Sequence, residues 1–310
     1  MKTLILLLGI CFSGAKGFAA FSIKKDNDTL VLMENGKKVF RYHINNPYPE
    51  KQRSRAHFFH PVYDLNEREL TVDRPIDHRH HHGLWWAWPQ LQVDGESVGD
   101  PWEVRGMDYL VREVHFDQCG EESCTINFDV LWLSLKNSDQ NGSPQVIVEE
   151  KSQVTIYKLT DGPREMDFSI SLTPKVGGVT LSGSNNDKGY GGFSFRMKTP
   201  RDLAFISAEG PVNPERTAVS GGGWMHFRGS FNDQVISSIT IVQDRNMPGY
   251  PQKWILRQAR AMQNPAFPGV DVLPLNEEMP LLLEYKVLIH RDAGDVEALQ
   301  DRFSRRPNDL

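Results

Sequence analysis

The segment 77-DHRHHHGLWWAW-88 concentrates side chains that do chemistry in enzymes and in metal sites. It holds four histidines within five residues, at positions 78, 80, 81 and 82, followed by tryptophans at 85, 86 and 88. Imidazole titrates near neutral pH and is also a common metal ligand. No fold requires such a cluster for stability alone. Three interpretations are therefore open: an acid/base site, a metal site, and a structural role in buried hydrogen bonds.

The acid/base interpretation makes Asp77, His78, His80 and His81 the candidate catalytic residues. These histidines can carry protons to or from a substrate near neutral pH, and the Asp77 carboxylate can tune their pKa values. The neighbouring tryptophans offer flat apolar faces, on which the C–H patches of a sugar ring pack well. This combination favours an oligosaccharide or a sugar acid as the substrate.

A metal site would use the same histidines in a different arrangement. If residues 78–82 are extended, His78, His80 and His82 point to one face and His81 to the other. A further ligand would have to come from elsewhere in the chain. The sequence requires no cofactor and leaves a divalent metal open, with no ligand set assigned. The candidate additional ligands are His60, Asp77, His226 and Asp244.

Arginines, aromatic residues and histidines outside the catalytic set are candidates for binding the substrate. An arginine offers a planar fork of donors to a carboxylate or to paired hydroxyls. Arg196 follows the glycine-rich stretch GYGGF, where the backbone can approach a ligand closely. Trp224 and His226 alternate on a predicted strand and therefore share a face. The predicted substrate-binding residues are Arg55, His60, Trp85, Arg196, Trp224, His226 and Arg257.

The elements that must position these residues are predicted to be strands. The stretch TINFDVLWL partly alternates between polar and apolar residues, and turn signals such as NGSP, TDGP and SGGG separate similar stretches. A single helix is predicted near Asp292–Ser304. The fold class is all-β, a large antiparallel β-sandwich with a short C-terminal helix. Leu84–Gly106 lacks a regular pattern and is predicted to be a long functional connection.

The N-terminal residues predict export. Lys2, the apolar run Leu4–Phe12 and the small residues after it form a typical secretory signal peptide. We therefore predict a signal peptide over residues 1–20 and one β-sandwich domain over 21–310, in the periplasm or outside the cell. No later segment is apolar enough to cross a membrane. The net charge of −5 without a basic stripe argues against nucleic acid as a partner.

Two cysteines remain after the predicted cleavage site, Cys119 and Cys124. In an exported protein they could close a hairpin as a disulfide, and the alternative is two free thiols. A pair with this spacing and no second pair is a weak zinc signal.

Several motifs, in order, resemble a bacterial family of domains of unknown function that carries the label "methane oxygenase PmoA". They are RSRAHFFHPVY (53–63), DHRHHHGLWWAW (77–88), KGYGGFSFRM (188–197), GGWMHFRG (222–229) and YKVLIHRD (285–292). The resemblance implies a β-sandwich and kinship with the supersandwich of galactose mutarotase-like enzymes. The chain departs from the family pattern at Arg79, where proline is common, and in GDPWEV (99–104), which replaces an expected Asn-Gly-Val-Asp-Phe-Trp run. The positions that match are His60, Asp77, His78, His80, His81, Gly83, Trp85, Gly192, Arg196 and Trp224.

Together these observations predict an exported carbohydrate-active enzyme. Its histidines would move protons in glycoside hydrolysis, elimination or epimerisation. Two alternatives use the same residues differently: a carbohydrate-binding protein without catalysis, and a metal-dependent hydrolase or oxidase.

Overall fold

A computed structural model describes residues 20–48, 55–232 and 235–303. All but one residue of the predicted signal peptide therefore lie outside the described part of the chain. The first half of the fold is built from strands that pair in antiparallel fashion. They are β1 (Phe21–Lys25), β2 (Thr29–Glu34), β3 (Lys37–His43), β4 (Phe58–Val62), β5 (Leu84–Ala87), β6 (Gln90–Val93), β7 (Glu96–Gly99), β8 (Met107–Cys119), β9 (Ser123–Ser138) and β10 (Pro144–Tyr157).

The second half continues with strands and ends in one helix. The strands are β11 (Arg164–Pro174), β12 (Val179–Ser182), β13 (Gly192–Phe195), β14 (Ala204–Ser207), β15 (Gly210–Pro211), β16 (Trp224–Asn232), β17 (Val235–Gln243), β18 (Trp254–Ile255), β19 (Asn264–Pro265), β20 (Leu273–Pro274) and β21 (Leu281–His290). Helix α1 spans Val296–Phe303, where Asp295 caps it by accepting a hydrogen bond from the Ala298 amide at 3.0 Å. The predicted all-β class and C-terminal helix are confirmed.

Two large antiparallel sheets enclose the main core. The six-stranded sheet has the order β1-β2-β3-β4-β5-β13, and the nine-stranded sheet has the order β15-β14-β16-β17-β21-β11-β10-β9-β8. Phe59 of the smaller sheet meets Phe128 and Phe168 of the larger one, with ring centroids 5.8 Å apart in both pairs. A four-stranded sheet, β20-β12-β6-β7, and the pair β18-β19 complete the architecture.

Alternation in the sequence explains the long strands. In β9 the burial of side chains alternates from Ser123 to Ser134, so that Phe128, Val130 and Trp132 face the core. The hairpin between β2 and β3 turns at Asn35-Gly36, both with positive φ, as a two-residue hairpin requires. Within the described ranges, no helix has the length and apolar character needed to span a bilayer.

The segment Leu84–Gly106 is not the long irregular connection that its sequence suggested. It contains β5, β6 and β7. The pattern is hard to see because β5 is buried on both faces, so its residues LWWA do not alternate. Strands β6 and β7 form a hairpin that turns at Asp94-Gly95.

A buried carboxylate lies in the core between the two large sheets. Glu150 of β10 is 0% exposed. Its Oε1 accepts hydrogen bonds from His57 Nε2 at 2.7 Å, Trp86 Nε1 at 2.9 Å and Ser152 Oγ at 2.8 Å. Its Oε2 accepts one from Trp132 Nε1 at 2.9 Å. This network ties β5, β9 and β10 together with the residues just before β4.

Strands β8 and β9 also share a covalent link. Cys119 and Cys124 face each other across this hairpin and form a disulfide. The disulfide interpretation of the sequence therefore matches the structure.

Candidate functional site

The histidine cluster lies on consecutive turns and not on an extended strand. The Arg74 amide donates to the His81 carbonyl at 2.8 Å, and within this loop the His78 amide donates to Pro75 and the His81 amide to His78, both at 3.0 Å. The turns bring His78, His80 and His81 together and direct His82 elsewhere. The extended arrangement, with His82 beside His78 and His80, was therefore wrong, because Pro75 and the local hydrogen bonds fold the segment back on itself.

Gly83 fixes the exit from these turns against β4. Its φ is +48°, and a Cβ atom there would lie 2.1 Å from the Phe59 carbonyl oxygen. The Gly83 carbonyl also accepts a hydrogen bond from the Arg196 amide at 2.6 Å. Only glycine combines this conformation with this approach of the backbone.

We expect Gly83→Ala to lower the free energy of unfolding by at least about 2 kcal/mol, since it adds a backbone clash to the strain of a positive φ. Urea denaturation measures the loss. Gly36→Ala is the matched control, because Gly36 has φ +78° but nothing within 4 Å of the added methyl group. Equal losses in the two variants would show that the contact with Phe59 does not matter.

The three gathered histidines touch one another. The rings of His78 and His81 stack with centroids 4.5 Å apart and an interplanar angle of 11°, and His80 meets His81 edge-on at 4.6 Å. Burial, together with the charges of His80 and His78, lowers the pKa of His81 far below the ordinary value. His81 is therefore a neutral imidazole at physiological pH. Its Nδ1 is buried and has no hydrogen-bond partner among the residues that the structure describes, which leaves Nε2 as the nitrogen that can meet a ligand.

Asp77 connects this stack to Arg196. The His78 Nδ1 lies 3.1 Å from Asp77 Oδ2, and Arg196 Nη2 lies 3.3 Å from both Asp77 oxygens. Burial alone would raise the pKa of Asp77, but the hydrogen bond with His78 and the charge of Arg196 lower it overall. An ionised Asp77 accepts a hydrogen bond from the His78 ring and thereby orients it.

Aromatic side chains form the wall behind the histidines. The Trp85 ring lies 5.5 Å from His81, and Trp102 lies 5.9 Å from His81 and 5.0 Å from Tyr190. Trp85 is 0% exposed, so it supports His81 from behind and offers no open face to a sugar. Trp102 and Tyr190 were not among the predicted site residues. The GDPWEV departure was the only sequence signal for Trp102.

A cleft of about 230 Å³ opens beside these groups. Arg257 lies on its edge and donates to the carbonyls of Glu215 and Leu256 at 2.7 Å and of Arg216 at 2.8 Å. Of the predicted residues, the cleft brings together three histidines and Arg257, with Asp77, Arg196 and Trp85 directly behind. The lining consists of His78, His80, His81, Trp102, Lys188, Tyr190, Ile255, Arg257, Ala261 and Met262.

His60 and His82 belong to a separate polar group. His82 Nδ1 lies 2.7 Å from Asp73 Oδ1, and the Tyr48 hydroxyl donates to the other oxygen of Asp73. His60 Nδ1 bonds Thr71 Oγ1 at 2.9 Å. Asp73 was missed by the sequence analysis, because a lone aspartate nine residues before His82 has no recognisable spacing.

Arg55 lies in the core and not in the cleft. It is 0% exposed, and its guanidinium sits 4.1 Å from the centre of the Tyr109 ring. A role in contacting substrate would require the core to open, so the structure separates Arg55 from the histidine cleft.

Trp224 and His226 share a face of β16, as the alternation predicted, but the C-terminal segment covers that face. Trp224 is 1% exposed and packs in a cluster with Leu299 of α1. His226 Nδ1 bonds Thr240 Oγ1 at 2.8 Å, and its Nε2 donates to the Ala293 carbonyl at 2.8 Å. The structure therefore does not bring these two residues to the histidine cleft.

Low pH is expected to destabilise the fold, because some buried histidines are neutral in the folded state and take up a proton more readily when the chain unfolds. Burial lowers the pKa of His43 and of His290 to about 4, from 6.5 in the unfolded chain. Unfolding then takes up protons, so stability is complete above about pH 6.5 and is lost as the pH falls towards 4. Calorimetric melting between about pH 7.5 and about pH 4.5 should show this decline, and His290→Gln should make it shallower. A melting temperature independent of pH would contradict the linkage.

In the part of the chain that the structure describes, no group of three or more His, Cys, Asp or Glu side chains is arranged to hold a metal ion. The candidate ligands His60, His226 and Asp244 are not gathered with the histidine cluster. The described geometry thus supplies no ligand set for the metal interpretation.

Comparison with known proteins gives a family and two distant structural likenesses. A candidate mutarotase from Salmonella typhimurium has a TM-score of 0.37 and 8% identity, covering 89% of this chain and 95% of its own. A TPR-domain containing protein from Parabacteroides distasonis has a TM-score of 0.27 and 8% identity, covering 92% of this chain and 48% of its own. No curated protein sequence matches.

The family assignment rests on a match over most of the chain. The model of a family of unknown function, DUF6807, matches residues 29–304. Its description does not include the methane oxygenase label, so that name receives no support, and kinship with galactose mutarotase-like enzymes stays a prediction. The chain belongs to the DUF6807 family of unknown function.

Proposed function

We propose that this protein is a carbohydrate-active enzyme that uses His81 and the His78–Asp77 pair for acid/base chemistry. The observation that carries the proposal is the stacked pair of His78 and His81 at the edge of a cleft, with Asp77 bonded to His78. Proton transfer by positioned side chains accelerates reactions by about 10²–10⁴-fold.

The two histidines differ in a way that suits separate roles. His81 is buried and neutral, so the lone pair of its Nε2 is available to a substrate, and its lowered pKa means that a proton taken up there is readily passed on. His78 is partly exposed, and the ionised Asp77 beside it orients its ring. A base and an acid from one stack could serve in epimerisation, elimination or hydrolysis.

The cleft wall suits one sugar ring. Tyr190 is partly exposed, and Ile255, Ala261 and Met262 provide apolar contacts. A volume of about 230 Å³ is below the roughly 300–1,000 Å³ of pockets for larger ligands, so one ring would enter rather than a chain. Sugar stacking would therefore use Tyr190 in place of Trp85 and Trp224, since Trp102 lines the cleft but is only 2% exposed.

Product analysis tests the proposal. The purified protein is incubated with a panel of saccharides, and products are examined by mass spectrometry and NMR. Addition of water identifies hydrolysis, an unsaturated sugar identifies elimination, and a new stereoisomer of unchanged mass identifies epimerisation. Saccharide that binds but is recovered unaltered from every incubation would instead establish a carbohydrate-binding protein without catalysis.

A further inference from the structure

We infer that the sugar recognised in the histidine cleft carries a carboxylate, which faces Arg257 and Lys188. This inference rests on the proposed binding of a saccharide there and specifies its class as a sugar acid. It starts from the charge of the cleft. The protein has a net charge of −5, yet the lining has two cationic side chains and three histidines, and no acidic side chain of the described residues lines it.

Arg257 is a fixed and uncompensated charge. Three backbone carbonyls hold its guanidinium at 2.7–2.8 Å. Carbonyls orient the group without neutralising it. Burial lowers the pKa of Arg257, and no carboxylate among the described residues acts in the opposite direction. A cation already held in place loses little conformational entropy when an anion binds.

The carboxylates around the cleft are engaged elsewhere. Asp77 lies behind His78 and is paired with Arg196. Asp100 and Glu103 act electrostatically on Tyr190, but Arg105 pairs with them at 2.9 and 3.6 Å. They do not offset the positive charge of Arg257 and Lys188 at the lining.

One lining side chain adds a buried donor that has no partner among the described residues. Trp102 is 2% exposed, and its Nε1 is that donor. Buried polar groups without partners are costly. A ligand rich in hydroxyl and carboxylate oxygens would supply acceptors to this wall, whereas an apolar ligand would leave the cost in place.

Calorimetric binding of matched sugars tests the inference. The probes are the methyl glycosides of glucuronate and galacturonate, their neutral parents glucoside and galactoside, and a 6-sulfated glucoside. We expect at least one uronate to bind about tenfold or more tightly than its neutral parent, and the preference to shrink with added salt. Arg257→Gln and Lys188→Met should each remove most of the preference, whereas Lys24→Met, on the exposed face of β1, should leave it unchanged.

The outcomes separate this inference from the proposed function. Neutral parents that bind as tightly as the uronates, a preference that survives both substitutions, or no binding of either uronate would overturn it. Tighter binding of the sulfated sugar would overturn the carboxylate assignment. Arg257→Gln could fail to fold because it removes hydrogen bonds to three backbone carbonyls. Lys188→Met tests the same charge without this risk, because the Lys188 side chain does not hold any of these carbonyls. Uronates that bind selectively but are recovered unchanged would support the carboxylate inference and contradict the catalytic proposal. Turnover of neutral sugars and uronates without preference would support the catalytic proposal and contradict the carboxylate inference.

Discussion

Replacing Glu150 by alanine is expected to lower the free energy of unfolding by about 3–5 kcal/mol, since several buried donors lose their acceptor at a cost of about 1–3 kcal/mol each. The substitution removes the acceptor for four donors, among them the indoles of Trp86 and Trp132 and the ring of His57. All lie in the core, where water cannot replace the lost acceptor. Urea denaturation followed by tryptophan fluorescence measures the change.

Glu150→Gln should be milder but still destabilising. The amide oxygen can replace Oε1, which accepts three hydrogen bonds, but the NH₂ group then faces the Trp132 donor. The neighbouring Glu149→Gln is the matched control, because Glu149 lies on the opposite face of β10 and pairs with Arg112 at 2.7 Å near solvent. It should cost less than about 1 kcal/mol. If Glu149 and Glu150 proved equally important, the buried network would not be a main source of stability.

Replacing His81 by glutamine is expected to reduce turnover of the substrate by about 10²–10⁴-fold, the usual contribution of a general acid or base. Glutamine keeps the capacity to form hydrogen bonds, but its amide neither takes up nor releases a proton near neutral pH. Because His81 also packs on His78 and Trp85, circular dichroism and thermal melting must first show that the variant is folded. Steady-state kinetics on the substrate found by product analysis then give the effect.

His115→Gln is the control for this experiment. His115 lies on β8, and its side chain is 40% exposed, next to Glu113. Its replacement should leave turnover within about twofold of the original value. A folded His81→Gln variant with full turnover would falsify the catalytic role of His81, and the cleft would then act only in binding.

The sequence was most informative where local pattern decides structure. Alternation in β9 and the apolar spacing around Val296–Phe303 were each sufficient to predict the element. The same holds for the histidine segment, whose composition marked it as the candidate site. Strand β5 was not predicted from alternation, because a strand that is buried on both faces has no polar side.

Most partners of the histidines could not be predicted, because they come from distant parts of the chain. Arg257 was predicted, but Trp102, Lys188 and Tyr190 reach the cleft through loops and short strands whose arrangement depends on the packing of several sheets. Trp224 and His226 show the opposite case. Their shared face was predictable from the alternation of a strand, but which layer covers that face was not.

The sequence by itself determined the β class of the protein, its C-terminal helix and the segment that holds the histidines, since periodicity and turn residues act over a few neighbouring residues. Only the tertiary structure decided that His78, His80 and His81 form one group without His82, that Trp85 is a buried support, and that Arg55 belongs to the core. The reason is physical. Burial, pKa and the sign of the local charge depend on side chains that are close in space, and chain folding brings those together from positions far apart in sequence.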